Sequence, residues 1–256
     1  MSTEKPKTAL ITGAGSGIGL ATARRFAADG FMLGLLDINE EKLRSAEAEL
    51  AQHTSVVCFC GSVTAPEFVE QSVAQLVSRF GGIDCVVTSA GIVRVEPSLS
   101  VSHETFRETL DVNVFGTWVT VQAAARVMTE QASGSIVMIG SVYGAAGAPN
   151  RAAYCASKGA VHILLQSLAV EWGPLGVRVN AVAPTGVRTP MVQELIDAGK
   201  YNMVGVKART PLGRLAEADE IAAACAFLAS DQAKMITGHV LPVDGGWLAN
   251  GYTTTA

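Results

Sequence analysis

Short apolar runs alternate with stretches of helical periodicity from one end of the chain to the other. The runs KTALIT (7–12), FMLGLLD (31–37), SVVCFC (55–60), IDCVVTS (83–89), GSIVMIGS (134–141), VRVNAVAP (177–184) and HVLPVD (239–244) are rich in Val, Ile and Leu. They show no alternation with polar residues, which predicts strands of a parallel sheet covered on both faces. Between them, apolar residues recur at helical spacing over 17–29, 40–51, 66–80, 102–130, 152–172 and 217–229. Strand and helix in succession predict a doubly wound α/β domain. The least regular stretch, 185–216, is interrupted by Gly and Pro and follows a strand's carboxyl end. Such folds keep their ligands there, so a mobile substrate lid is expected.

Composition narrows the partners. With 256 residues, 49% of them hydrophobic, the chain can bury one good core. A net charge of −4 gives no basic footprint for nucleic acid. No apolar run is long enough to suggest a membrane-spanning helix, and MSTEKPK at the start lacks the apolar centre of a signal peptide. Five cysteines, an odd number without paired spacing, fit a reducing cytoplasm. Cys58 and Cys60 share one face of a strand, where packing explains them better than a metal. His53, His103, His162 and His239 form no ligand motif, so no metal is expected.

Three glycines, Gly13, Gly17 and Gly19, directly follow the first strand in LITGAGSGIG. Gly13 makes a tight turn, and Gly17 and Gly19 remove side chains where helix, sheet and phosphate come close. The helix that starts near Gly17 offers free N–H groups and its positive dipole end to a pyrophosphate. Methyltransferases carry similar turns, so the pattern alone does not settle the ligand. Asp37 ends the second strand, 18 residues beyond Gly19. A carboxylate there accepts hydrogen bonds from both adenosine ribose hydroxyls and repels a 2′-phosphate, and Ile38 adds no positive charge. NAD is therefore expected rather than NADP. Since Asp37 and Asn39 both precede a helix, a capping role is the plainer alternative.

The segment RAAYCASKGAVHILLQSLAVEW places Tyr154 and Lys158 one turn apart on one face of an apolar helix. Polar tips on a buried helix need partners. Ser141 ends the fifth strand at the sheet's ligand edge, 13 residues before Tyr154. Serine hydroxyl, phenol and amine then converge. A phenol with a pKa of about 10 is a poor base at neutral pH. A nearby ammonium and a cationic nicotinamide favour the phenolate. Tyr154 can then exchange a proton with an alcohol or carbonyl while Ser141 holds the substrate oxygen. Lys158 tunes Tyr154 and binds the nicotinamide ribose.

With TGAGSGIG (12–19), NVFG (113–116), Ser141, YCASK (154–158), NAVAP (180–184), TPM (189–191) and VDGG (243–246) in this order, the chain resembles the short-chain dehydrogenase/reductase family over essentially its whole length. The resemblance implies a single NAD-binding, Rossmann-like catalytic domain over 1–256, a three-layer sandwich with a seven-stranded parallel sheet, assembled as a homodimer or homotetramer. It implies that Asn113 joins the catalytic set by holding a water that links the lysine to solvent. Taken alone, Asn113 reads as a polar residue inside a helix. It further implies that Ser16, Ile18, Ile38, Ser62, Val63, Ser89, Ala90, Gly91 and Pro184 border the cofactor. Val187 and Thr189 match positions that meet the nicotinamide carboxamide. Helices 102–130 and 152–172 would form the subunit interface, or else ordinary core.

Several positions depart from the family pattern. Thr88 and Ser89 replace two asparagines, Ser62 replaces an aspartate that meets adenine, and Thr185 replaces a glycine. For the substrate pocket, Arg94, Tyr143 and Arg151 join Ser141 and Tyr154 as candidates. A surface ion pair is the plainer reading of the arginines, and loop packing of Tyr143. Trp247 is expected to cover an apolar seam. Three functions remain open: an NAD-dependent dehydrogenase of a polyol, sugar or hydroxy acid; a 3-oxoacyl-thioester or other carbonyl reductase; and a nucleotide sensor without chemistry.

Overall fold

A computed structural model describes residues 6–251, so the first five residues of the polar N-terminal stretch lie outside the described residues. The strands are β1 (Thr8–Thr12), β2 (Met32–Asp37), β3 (Val56–Cys60), β4 (Cys85–Thr88), β5 (Gly134–Ile139), β6 (Val177–Pro184), β7 (Val187–Arg188), β8 (Ala216–Glu217) and β9 (Val240–Val243). Seven of them form one parallel sheet in the order β3-β2-β1-β4-β5-β6-β9. The chain winds outward from β1 to β3 and then restarts on the other side with β4. That reversal opens a crevice beyond the carboxyl ends of β1 and β4.

Helices α1 (Gly17–Ala28), α2 (Glu40–Leu50), α3 (Pro66–Phe80), α4 (His103–Leu110), α5 (Gly116–Glu130), α6 (Ala152–Trp172), α7 (Pro190–Asp197), α8 (Met203–Arg209) and α9 (Ala218–Ala229) complete the chain. Two apolar cores lie on opposite faces of the sheet. Leu76, Val121, Met128 and Leu165 from α3, α5 and α6 fill one, and Phe26, Leu43, Ile221 and Leu228 from α1, α2 and α9 fill the other. Every residue of β1 and β4 is buried, which is why these strands read as unbroken apolar runs.

Two predicted elements differ from the structure. The stretch 102–130 is not one helix: a π-turn at Asp111–Phe115 separates α4 from α5, with the Gly116 N–H donating to the Asp111 carbonyl. One extra residue in a turn re-aims the side chains around it, and Asn113 faces inward, 1% exposed. The stretch 185–216 is not without structure either. Thr189 and Asn202 cap α7 and α8 through bonds from the Val192 and Gly205 N–H groups. Strands β7 and β8 pair at its base, braced by an Arg188–Glu217 ion pair at 2.8 Å.

Candidate active site

A cleft of about 390 Å³ lies over the β1/β4 crevice. Gly13 and Gly17 take left-handed backbone angles, φ 65° and 54°. A Cβ on Gly13 would stand 2.8 Å from the Ala90 nitrogen, and one on Gly17 3.3 Å from a Thr189 methyl. Gly19 packs against the Gly13 carbonyl, with no room for a side chain. Ser16 precedes α1 without making a side-chain cap bond, so the first-turn N–H groups are left to a ligand. Ile18, Asp37, Ile38, Ser62, Val63 and the Ser89–Gly91 backbone line the walls. These features fit a nicotinamide dinucleotide.

Asp37 is braced at the far end of this cleft. Its Oδ2 accepts from the Gly15 N–H at 2.8 Å and its Oδ1 from the Asn39 N–H at 2.9 Å. Capping of α2 falls to Asn39, which accepts from the Lys42 N–H. Asp37 is thus held by the glycine turn, with carboxylate lone pairs to spare. Ser62 turns to its own loop, 2.7 Å from the Thr64 hydroxyl. The Thr12 hydroxyl accepts from the Ala90 N–H at 3.2 Å and ties β1 to the opposite wall.

At the other end, β5 and β6 pair Ile139 with Val182, so Ser141 and Pro184 emerge side by side. Tyr154 lies in the first turn of α6, and burial pushes its phenol up to about 12, with a hydrogen bond involving Ser141 pulling the other way. Lys158 Nζ donates to the Ile139 carbonyl at 2.7 Å and stands 5.7 Å from the Tyr154 ring centre. Burial brings this amine down to about 8. The expected acidification of the phenol is not a property of the chain by itself. Desolvation outweighs the Ser141 hydrogen bond at the phenol and acts alone on the amine, so each group is pushed toward its neutral form.

The Asn113 side chain makes three bonds. Its Oδ1 accepts from the Ile92 N–H at 2.8 Å, and its Nδ2 donates to the Ile92 carbonyl and to the Ser157 hydroxyl. A Cβ on Gly91 would stand 3.1 Å from Asn113 Oδ1 and 3.9 Å from Lys158 Nζ. The two residues therefore meet at the bare backbone of Gly91. Pro184 and Val187 are buried beside this end, and Thr189 joins the cleft wall.

The substrate candidates divide. Tyr143 packs edge-on to Tyr154, with ring centres 6.4 Å apart, and Arg151 stands 5.7 Å over the Tyr143 ring. Arg94 instead forms an exposed ion pair with Glu108 at 3.1 Å, the plainer of its two readings. Trp247 is buried as expected, but it packs edge-on to Tyr143 at 5.6 Å and carries the Arg209 guanidinium at 3.7 Å. It closes an aromatic row that ends at Tyr154.

Two residues near this row escaped the sequence analysis. His162 Nε2 accepts from the Ser141 N–H at 3.5 Å, and its ring fills the space left by Gly140 and Gly144. Tyr201, between α7 and α8, reaches back to Gly186. Neither carries a local signal, because their partners lie far away in the chain.

One sheet edge thus offers a cradle for a dinucleotide and, beside it, a phenol able to carry a proton. The class so defined is the nicotinamide-dependent oxidoreductases. A family model described as "Enoyl-(Acyl carrier protein) reductase" matches residues 13–248. D-threitol dehydrogenase of Mycolicibacterium smegmatis is 38% identical over 245 residues, covering 94% of this chain and 92% of that protein. Galactitol 2-dehydrogenase (L-tagatose-forming) of Cereibacter sphaeroides is 40% identical over 241 residues, covering 93% and 94%. A crystal structure of levodione reductase superposes with a TM-score of 0.91 at 36% identity, over 96% of this chain and 98% of that one. The chain belongs to the short-chain dehydrogenase/reductase family, and it is an oxidoreductase of alcohols and their carbonyl counterparts.

Proposed function

We propose that this protein is an NAD-dependent dehydrogenase interconverting a secondary alcohol that carries further polar groups (a polyol, sugar or hydroxy acid) with its ketone. The observation that carries the reading is the meeting of Ser141, Tyr154 and Lys158 beside a glycine cradle. Relatives named for D-threitol and galactitol support the polyol end of that range. The braced Asp37 carboxylate supports NAD, since it repels a 2′-phosphate and the neighbouring Ile38 offers no cation.

When bound, the oxidised cofactor supplies the electron-pair acceptor and a positive charge. Tyr154, which burial holds near 12, would be favoured as phenolate beside that charge. Ser141 holds the substrate oxygen, and Tyr154 Oη takes its proton as the alcohol is oxidised. In the reverse direction the same phenol protonates the carbonyl oxygen. Lys158, brought to about 8, exchanges protons near neutral pH and passes them toward solvent on the side where Asn113 meets Gly91.

The single catalytic domain carries a mobile lid near 185–216, and the protein works in the cytoplasm. It assembles as a homodimer or homotetramer through the helices flanking Phe115 and Ile163, whose side chains are 42% and 65% exposed. Tyr154→Phe tests the core of the reading. Turnover of polyols, followed by cofactor absorbance, drops at least about 100-fold while NAD affinity is retained. A variant as active as the wild type would remove Tyr154 from its role.

A further inference from the structure

Three side-chain polar atoms among the described residues are buried without a hydrogen-bond partner: Thr88 Oγ1, Tyr201 Oη and Arg209 Nε. A buried polar group without a partner is costly, so each such atom calls for an explanation. Tyr201 and Arg209 both belong to the excursion between β7 and β8, and both border the catalytic edge. Arg209 stacks on Trp247, the outer ring of the row running through Tyr143 to Tyr154.

The position of Tyr201 follows from register. Ile139 pairs with Val182, so Ser141 and Pro184 leave the sheet as neighbours about 5 Å apart. Gly186 is two residues further along β6's exit. The Tyr201 hydroxyl occupies the place a Gly186 side chain would take, with Leu215 packed behind it. The phenol also lies within electrostatic reach of Tyr143, Arg151 and Tyr154, and burial pushes it up to about 12, which keeps it a neutral donor. A hydrogen-bonding group thus stands against Gly186, within electrostatic reach of Tyr143 and Tyr154, and is left unsatisfied by the protein.

We propose that Tyr201 is a specificity-determining residue whose hydroxyl bonds a substrate hydroxyl other than the one oxidised. The excursion then closes favourably only over a substrate that supplies this partner, which selects polyols over simple alcohols. This deepens the polyol reading and rests on it. A site built to bond a substrate hydroxyl rejects the analogue that lacks it, because its own polar group stays unpaired.

The test is a ratio. Values of kcat/KM with NAD are measured for tetritols, pentitols and hexitols and for 2-alkanols of the same chain length. In Tyr201→Phe the polyol-to-alkanol ratio falls about 10- to 100-fold, mainly through KM for the polyol. An unchanged ratio, whether or not both activities drop, overturns the assignment and leaves Tyr201 a packing residue. Gly186→Ala, which drives a methyl into the place of the phenol oxygen, is the second variant should Tyr201→Phe fail to fold. It lowers the same ratio, and an unaltered ratio there counts equally against the proposal. Wild-type protein that oxidises 2-alkanols in preference to polyols overturns the polyol reading and this inference with it, and leaves the dehydrogenase activity standing. Protein that binds NAD and oxidises neither overturns the dehydrogenase reading, and the inference with it.

Discussion

Lys158 strains the fold that holds it. An ammonium only 6% exposed, bonded to a single carbonyl, stays in the protein at the expense of stability. Its pKa falls from an ordinary 10.5 to about 8. Below pH 8 the folded state therefore carries a poorly solvated charge that the unfolded state hydrates freely. Between pH 8 and 10.5 the folded amine is neutral while the unfolded one is still charged, so this penalty fades. Lys158→Met is accordingly expected to raise Tm at pH 7, on the order of 5 °C, while abolishing turnover. The gain shrinks as pH rises through that window. A Tm equal to or below that of the wild type at pH 7, read by differential scanning calorimetry, would sink this account. Asp37 is the second residue with an individual test. On the proposed NAD reading, Asp37→Ala is expected to narrow the NAD-to-NADP ratio of kcat/KM about 10- to 100-fold, by removing a carboxylate that would bond the ribose and repel a 2′-phosphate. A ratio unmoved by the substitution would leave Asp37 with only its bonds to Gly15 and Asn39.

Between elements, the end of β5 and the loop after it are held by α6 twice: Lys158 donates to the Ile139 carbonyl, and His162 accepts from the Ser141 N–H. Burial and the nearby Lys158 keep the His162 pKa below its usual value. Its Nε2 can then accept from the Ser141 N–H at neutral pH. His162→Leu is expected to lower kcat about 10- to 100-fold by letting Ser141 drift, with little change in NAD affinity. Full activity in that variant would reduce the histidine to filler. Much at this scale was legible beforehand. The seven sheet strands appear where unbroken apolar runs placed them, because burial on both faces both defines and stabilises them. The division between α4 and α5 was not, since a single added residue hardly disturbs a 3.6-residue period. Helices α7 and α8 were hidden because they are short and punctuated by Pro and Gly. Ser141, Tyr154 and Lys158 were visible because helical spacing and strand order bring them together. His162, Trp247 and Tyr201 were not, because only the folded backbone relates them to the site.

At the scale of the whole molecule, the buried acids set the alkaline limit. Cys58 and Cys225 are pushed by burial up to about 12, and so are Tyr154 and Tyr201; Cys85 and Tyr143 are raised as well. Above their ordinary values, 9.0 for the thiols and 10.0 for the phenols, the unfolded chain releases protons that the folded chain keeps. The unfolded state then binds fewer protons, so stability falls with rising pH. Among the described residues these six groups act in this direction, and the lowered Lys158 amine opposes them. Denaturant midpoints should drop steadily between pH 8.5 and about 10.5, and a flat profile would show these side chains to be better solvated than their burial implies. The neck formed by β7 and β8 has a different consequence. Because Arg188 and Glu217 clamp both ends of the excursion against each other, the span between them can be lengthened, shortened or traded for that of a relative at little entropic cost to the sheet. Evolution, or an engineer with two splice points, can exchange that span and leave the sheet edge that holds Ser141, Tyr154 and Lys158 as it is.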